Sequence, residues 1–340
     1  MNVPQNDFLA AGRVATRARH FILLLLAILT VSALPISANA GLLVYEPFAD
    51  ATAYGGTAYT TGADVTGANT PATASGQNNG TLVGGGGGAT WYAAGATGGV
   101  NVASTVSATN LSVAGLADSS GGSMLYGAAA GPSARVNVGS TITSGSVYYS
   151  FALKVTDLGS LNTSGGFVVG LNNAGGAQTN TPSVVSSVLM IRAVGSAASG
   201  NFNLGVRKGT GTPDWSATVF NTADTNPIFV VGSYTFNADS TTDDVAKMWL
   251  NPDPSTFGGA TPADQLVHTG VADINAPGVA SLIFFRRGNA TLQPASMLSD
   301  EVRIGTTWAD VTPPVPEPSS LVLTLVAVGM LSGARRRAVR

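Results

Sequence analysis

The side chains in this sequence that could do chemistry are few and far apart. Of two histidines, only His268, in DQLVHTG, lies beyond the first forty residues. A serine hydrolase needs just one histidine, but no G-x-S-x-G elbow accompanies it. His268 therefore reads as a solvent-facing histidine of a loop or strand. Cysteine is absent, which removes thiolate nucleophiles, disulfides and thiolate metal ligands, and leaves a lone histidine as a poor basis for zinc. Glycoside hydrolysis needs two carboxylates facing each other, about 5–5.5 Å apart in retaining enzymes. Glu46 and Glu301 are the only glutamates between residues 41 and 314, and they sit near opposite ends of that stretch. Asp300 and Glu301 are neighbours, so on a regular strand their side chains point to opposite faces. No catalytic residue is assigned.

Two other patterns suggest binding rather than catalysis. Asp239, Asp243 and Asp244 crowd one turn and supply the hard oxygen donors that Ca²⁺ requires. The bland reading is an exposed hairpin turn, which is also rich in Asp, Ser and Thr. Of the four tryptophans, Trp91, Trp215, Trp249 and Trp308, the first two are the chosen candidates for stacking on a glycan. Each could equally serve the core.

The elements that hold these residues come from a chain that is 44% hydrophobic but only 10% charged, with 43 glycines. That mixture favours turns and short strands over long helices. VYYSFALKV alternates, with Val147, Tyr149, Phe151, Leu153 and Val155 on one face. NFNLGVRKG sets Phe202, Leu204 and Val206 against Asn201, Asn203 and Arg207. GGFVVGL, SVLMIRAV, IFVVGSYTF, VAKMWLNP and SLIFFRRG are further runs bounded by Gly, Asn, Asp or Pro. Many short strands without an amphipathic helix predict an all-β, antiparallel β-sandwich of jelly-roll type over residues 41–311. Within it, residues 51–99 are Gly/Ala/Thr-rich, including GGGGG at Gly84–Gly88, and predict long loops and edge strands. Nine basic residues stand against sixteen acidic ones between Gly41 and Pro314, a net of −7. Such a body lacks the clustered cations that nucleic acid requires.

The two ends differ in kind. Residues 1–40 read as a signal peptide: Arg13, Arg17 and Arg19, an apolar helix from Phe21 to Ala33, then Ala38 and Ala40 in the small-x-small pattern of a signal peptidase site. A proline-rich linker (312–318) precedes sixteen uncharged residues, 319–334, and a basic tail, 335–340. As a helix that stretch extends about 24 Å, a short transmembrane helix against a hydrocarbon core of roughly 30 Å. The arginines set its direction, with the tail cytoplasmic and the body outside the inner membrane.

Pro316, Glu317 and Pro318, the apolar span and the cluster Arg335, Arg336 and Arg337 together resemble the PEP-CTERM sorting signal of Gram-negative bacteria. That resemblance implies processing by an exosortase, transient anchoring in the inner membrane, and a destination at the cell surface or in an exopolysaccharide-rich biofilm matrix. The opening GLLVYEPFAD, DDVAKMWLNPDP and the closing SDEVRIGTTWADV, read as a final strand, resemble the concanavalin A-like, laminin-G-like sandwiches found in such proteins. The combined expectation is a structural or glycan-binding extracellular protein. The competing expectation is a secreted carbohydrate-active enzyme, a hydrolase or lyase, on the same fold.

Overall fold

The computed structural model describes residues 41–48, 61–62, 65, 80–82, 88–89, 91–95, 104–117, 121–129, 131–176, 178, 180, 182–274, 278–286 and 288–315. All belong to the unit that begins at Gly41. The signal segment with Ala38 and Ala40, and the tail with Pro316, Glu317, Pro318 and Arg335–Arg337, lie outside the described residues. Among the described residues no helix is long and apolar enough to cross a membrane.

The strands are β1 (Leu42–Glu46), β2 (Gly80–Leu82), β3 (Gly88–Ala89), β4 (Trp91–Ala94), β5 (Thr105–Ser107), β6 (Ser123–Tyr126), β7 (Ser133–Ile142), β8 (Ser146–Asp157) and β9 (Gly166–Asn172). They continue as β10 (Val185–Ala193), β11 (Asn201–Arg207), β12 (Asp214–Trp215), β13 (Phe220–Asn221), β14 (Ile228–Thr235), β15 (Val245–Leu250), β16 (Leu266–His268), β17 (Val279–Phe284) and β18 (Ser296–Gly305). One sheet runs β16-β15-β14-β8-β18-β1-β2-β3, with β6 joined to β18 and β5 to β6; the other runs β12-β11-β10-β9-β17-β7-β4, with β13 on β11. The ladders are antiparallel, and the two sheets form a β-sandwich.

The alternation legible in the sequence fills the space between the sheets. Val147, Tyr149, Phe151, Leu153 and Val155 of β8 join Phe202, Leu204, Val206, Leu189, Ile191 and Phe284 in one buried cluster. Each such side chain contributes roughly 1.5–3 kcal/mol by leaving water. Phe151 meets Phe284 edge-on across the gap, with centroids 5.3 Å apart. Tyr149 lies over Gly232 of β14, where an added Cβ would sit 2.2 Å from the ring. Its hydroxyl donates to Ser187 O, 2.5 Å away, on the opposite sheet.

The outer face of the first sheet is also covered. Phe229, Val231 and Trp249 pack beneath Leu116, Phe257, Trp308 and Val311, and Trp249 and Trp308 meet edge-on at 5.1 Å. Trp308–Val311 form a four-residue helix, α1, where the sequence reading continued a strand. The reason is a capping box: the Thr307 side chain accepts from Asp310 N, while Asp310 Oδ2 accepts from Thr307 N at 2.8 Å.

Candidate functional site

Four strands of the second sheet bring one lateral row together. Phe167 of β9 pairs with Met190 of β10, Met190 with Gly205 of β11, and Gly205 with Trp215 of β12. All four face away from the core, because their neighbours Leu189, Ile191, Leu204 and Val206 face into it. The indole of Trp215 needs a glycine below it: a Cβ on Gly205 would lie 2.8 Å from Trp215 Cε3. Trp215 and Phe167 are both half-buried. The Arg192 guanidinium sits 4.3 Å from the Trp215 ring centroid, and that of Arg207 lies 5.9 Å from the Phe167 centroid. Phe167 is braced from beside by Phe285, edge-on at 4.6 Å. The result is a row with an aromatic ring at each end, Phe167 and Trp215, on strands about three spacings apart, roughly 14 Å, with an arginine at each ring.

The rest of this face is closed by the segment after β9. Ser281 Oγ donates to Ala174 O at 2.6 Å, and Gln178 exchanges backbone bonds with Ala93 and Gly95 at the sheet edge. Arg135 of β7, fully buried, fastens this segment. Its Nη1 donates to Asn172 Oδ1 (3.1 Å) and Gln178 Oε1 (2.7 Å), and its Nη2 to the carbonyls of Gly175 and Gly176. Burial pulls the Arg135 guanidinium down to about 10.

Trp215 is thus the tryptophan placed where it can meet a ligand. Trp91, the other candidate, is a correction: it is fully buried between the sheets. It stacks near Phe48 at 5.7 Å and donates Nε1–H to Glu46 Oε2 at 3.0 Å. A strand start at Trp91 puts the indole inward, and the buried Glu46 carboxylate needs its donor. Trp249 and Trp308 are core residues as described, each donating to a carbonyl, Ala263 O and Thr256 O.

The acidic turn is arranged differently from the sequence reading. Asp243 and Asp244 do converge, but their third partner is Asp273, with one oxygen of each within 4.8 Å of the others. Asp239 is exposed, and contributes only its N–H, donated to Asp243 Oδ2 at 2.9 Å. Asp243 Oδ1 is buried without a partner, the one feature that suits a cation. The cation is already supplied by the chain. Lys208, with no exposed side-chain surface, places Nζ 2.5 Å from Asp273 Oδ1 and 2.9 Å from Thr242 O. Asp244 is spent on Tyr234 OH (2.6 Å) and Asn237 N (2.7 Å). Calcium on these oxygens would face a fixed ammonium, so the donor set does not fit it.

His268 is a second correction. It is buried, on β16, where Nδ1 accepts from Lys208 N at 3.2 Å and Nε2 donates to Thr212 O at 2.9 Å. Both ring nitrogens are used to hold the turn after β11, which a solvent-facing histidine could not do.

Asp300 and Glu301 do not alternate either. Residues 300 to 303 of β18 oppose only Ala152 to Ser150 of β8, and Glu301 takes φ +56°. This is a β-bulge, which inserts one residue and resets the inward positions from Met297 to Val302 and Ile304. Glu301 pairs with Arg303, whose guanidinium lies 4.3 Å from the Tyr45 ring centroid, and Tyr45 OH donates to Glu301 Oε2 at 3.1 Å. Asp300 Oδ2 accepts from Leu111 N at 2.9 Å. Burial, reinforced by Glu301, pushes the Asp300 carboxyl up to about 8. Glu46 lies on the inner side of its sheet, bonded to Trp91 and to Phe48 N (2.8 Å).

A cleft of about 530 Å³ also opens on the first sheet's outer side, lined by Ser112, Asn226, Asn251, Pro254 and Phe257 among others. No titratable side chain is among its described lining residues.

No protein-family model matches the chain, and no curated protein matches it. Among solved structures, it is similar to domain 4 of AbnA, an extracellular GH43 arabinanase from Geobacillus stearothermophilus in complex with arabinotriose, with 13% identity and a TM-score of 0.38 over 81% of this chain and 99% of that one. The alginate lyase Aly36B is similar at 13% identity and a TM-score of 0.32, over 55% and 81% of the two chains. A legume lectin-like domain from Entamoeba histolytica is similar at 12% identity and a TM-score of 0.31, over 54% and 82%.

Proposed function

We propose that the protein is an exported glycan-binding β-sandwich of the extracellular matrix, whose contact surface is the open half of the second sheet around Trp215. The observation that carries the reading is the half-buried Trp215 indole, packed against Gly205 on the outer side of the second sheet with the Arg192 guanidinium over its ring. A flat aromatic face with polar neighbours offers what a sugar ring needs: an apolar platform beside hydrogen-bonding groups. Arg192 is the polar neighbour at the ring. The test is retention of the full chain, kept in mild detergent, on a panel of immobilised polysaccharides. Trp215→Ala is expected to abolish retention while the chain still melts as a folded β protein. Retention by Trp215→Ala equal to the unaltered chain would sink the reading.

Export and sorting belong to the same proposal and rest on the two ends of the sequence. Ala38 and Ala40 offer a signal peptidase its site, and Pro316-Glu317-Pro318 with Arg335–Arg337 offers an exosortase its own. Changing Glu317 to Ala, or deleting Arg335–Arg337, in an exosortase-bearing host is expected to leave the chain unprocessed. Mature size and location unaffected by both changes would refute the sorting step.

A further inference from the structure

We infer that the polymer held by this face is an acidic one, a polysaccharide whose sugars carry carboxylates, and that Arg192 and Arg207 are the residues that select it. The inference rests on the glycan-binding reading above and deepens it.

The first ground is charge segregation. The body between residues 41 and 314 is net −7, yet the strands of the second sheet carry two half-buried arginines, Arg192 and Arg207, against one acidic residue, Asp214, besides the fully buried Arg135. One face of an acidic protein is therefore locally cationic.

The second ground is that these two cations lack partners. Arg135 shows what a structural arginine does in this fold: both of its terminal nitrogens are committed to the segment it fastens. Arg303 and Lys208 are likewise paired with acids. Among the described residues, neither Arg192 nor Arg207 has an ion pair or a hydrogen bond to its guanidinium. Each has only its aromatic neighbour. Arg207 Nε is buried with nothing to donate to. A guanidinium partly withdrawn from water without a counter-ion is costly, and the cost is recovered when an anion arrives.

The third ground is geometry. Stacking on an aromatic holds a guanidinium plane in place and leaves its N–H edge open, the arrangement suited to bidentate capture of a planar carboxylate. Arg207 stands opposite Val188 and Arg192 opposite Asn203. Their backbones are thus four residues apart along the ladder, about 13 Å, on either side of the Phe167–Trp215 row. Two separated single charges flanking this row match a chain with repeated carboxylates better than one multiply charged small molecule. The acidic remainder of the body repels nucleic acid, whose dense phosphates call for a continuous basic track.

The test compares polygalacturonate and alginate with their carboxyl-reduced, neutral counterparts, using affinity electrophoresis of the full chain; dextran sulfate and single-stranded DNA are controls. The uronates are expected to retard the chain, at least tenfold more weakly after carboxyl reduction, with retention falling as salt is raised. Arg192→Gln and Arg207→Gln are each expected to weaken uronate binding about tenfold, the size of one charge-assisted contact, and to leave residual binding to the reduced polymers unchanged. Arg192→Lys, which keeps charge but loses the planar fork, is expected to recover only part of the loss. Circular dichroism melts of the variants check that the sheet persists. Equal binding of acidic and reduced polymers would overturn the inference and leave the glycan reading standing. Binding to dextran sulfate or DNA as strong as to the uronates would reduce the site to generic charge and also overturn it. Retention by none of the polysaccharides would overturn both.

Discussion

Substituting Asp300 by Asn should change how stability depends on pH. Asp300 lies on β18 beneath the segment that carries Leu111, beside Ala152 and Leu298, and its carboxyl is pushed up to about 8, chiefly by burial. In the unfolded chain the same group titrates near 3.9. Between those values the unfolded state releases a proton that the native state retains. The contribution of Asp300 is therefore fully present below about pH 4 and is lost as pH rises toward 8. The slope is about 1.4 kcal/mol per pH unit, so about 4 kcal/mol is forfeited between pH 4.5 and 7.5. Asparagine does not titrate. It keeps an acceptor for Leu111 N but loses the second one, which accepts from Glu301 N at 2.7 Å, a pH-independent cost of about 1 kcal/mol. Urea unfolding of both proteins at pH 4.5, 6.0 and 7.5 gives three differences in stability. The variant is expected to be slightly less stable at pH 4.5 and about 3 kcal/mol more stable at pH 7.5. A difference that stays constant across the three values would refute the reasoning, because it would mean that Asp300 is ionised in the native state throughout.

Other perturbations address single contacts. Gly232→Ala should cost about 3 kcal/mol, since its Cβ meets the Tyr149 ring at 2.2 Å; the same change combined with Tyr149→Leu should recover part of that loss in a thermal melt. Lys208→Met should cost about 3–5 kcal/mol at neutral pH by leaving Asp243, Asp244 and Asp273 uncompensated, and calcium chloride should raise the melting temperature of this variant more than that of the unaltered chain. Trp91→Phe removes the Nε1 donor of the buried Glu46 and should cost about 2 kcal/mol, whereas Trp215→Phe on the open face should cost less than about 1 kcal/mol. Gly205→Val should displace the Trp215 indole and, on the proposed glycan-binding reading, abolish retention while the far-ultraviolet spectrum stays that of a β protein.

Much of the sandwich was legible because a half-buried strand writes its orientation into every second residue. Val147 to Val155 and Phe202 to Val206 point where that alternation puts them. The failures are local and share a cause. Glu301 escapes the alternation because one inserted residue reverses it, and a bulge has no periodic signature. Thr307 and Asp310 did carry a signal, the three-residue spacing of a capping box, obscured by its place directly after a strong strand. His268 and Lys208 are polar residues that the fold buries because they satisfy each other and the turns around them, a fact of three dimensions only. Trp91 and Trp215 are alike in sequence, each at the start or end of a short run. What separates them is Gly205 of a neighbouring strand, which opens room for one indole on the outside. The arginine pattern was hidden by averaging: a body that is acidic overall gave no reason to look for a cationic face.

The partnership of β1 with β18 also governs the order of events when the protein is made. These strands lie side by side inside the first sheet, with Tyr45 and Glu301 in contact across 256 positions of chain. β18 lies between β1 and β8 as well, so neither can complete its ladder until nearly the entire body has emerged. A chain made from its amino end must therefore hold two open strand edges through most of its synthesis. Closure comes late and all at once, set by arrival of the last strand. Slow, non-local pairing of this kind leaves commitment to the compact form to the end of synthesis.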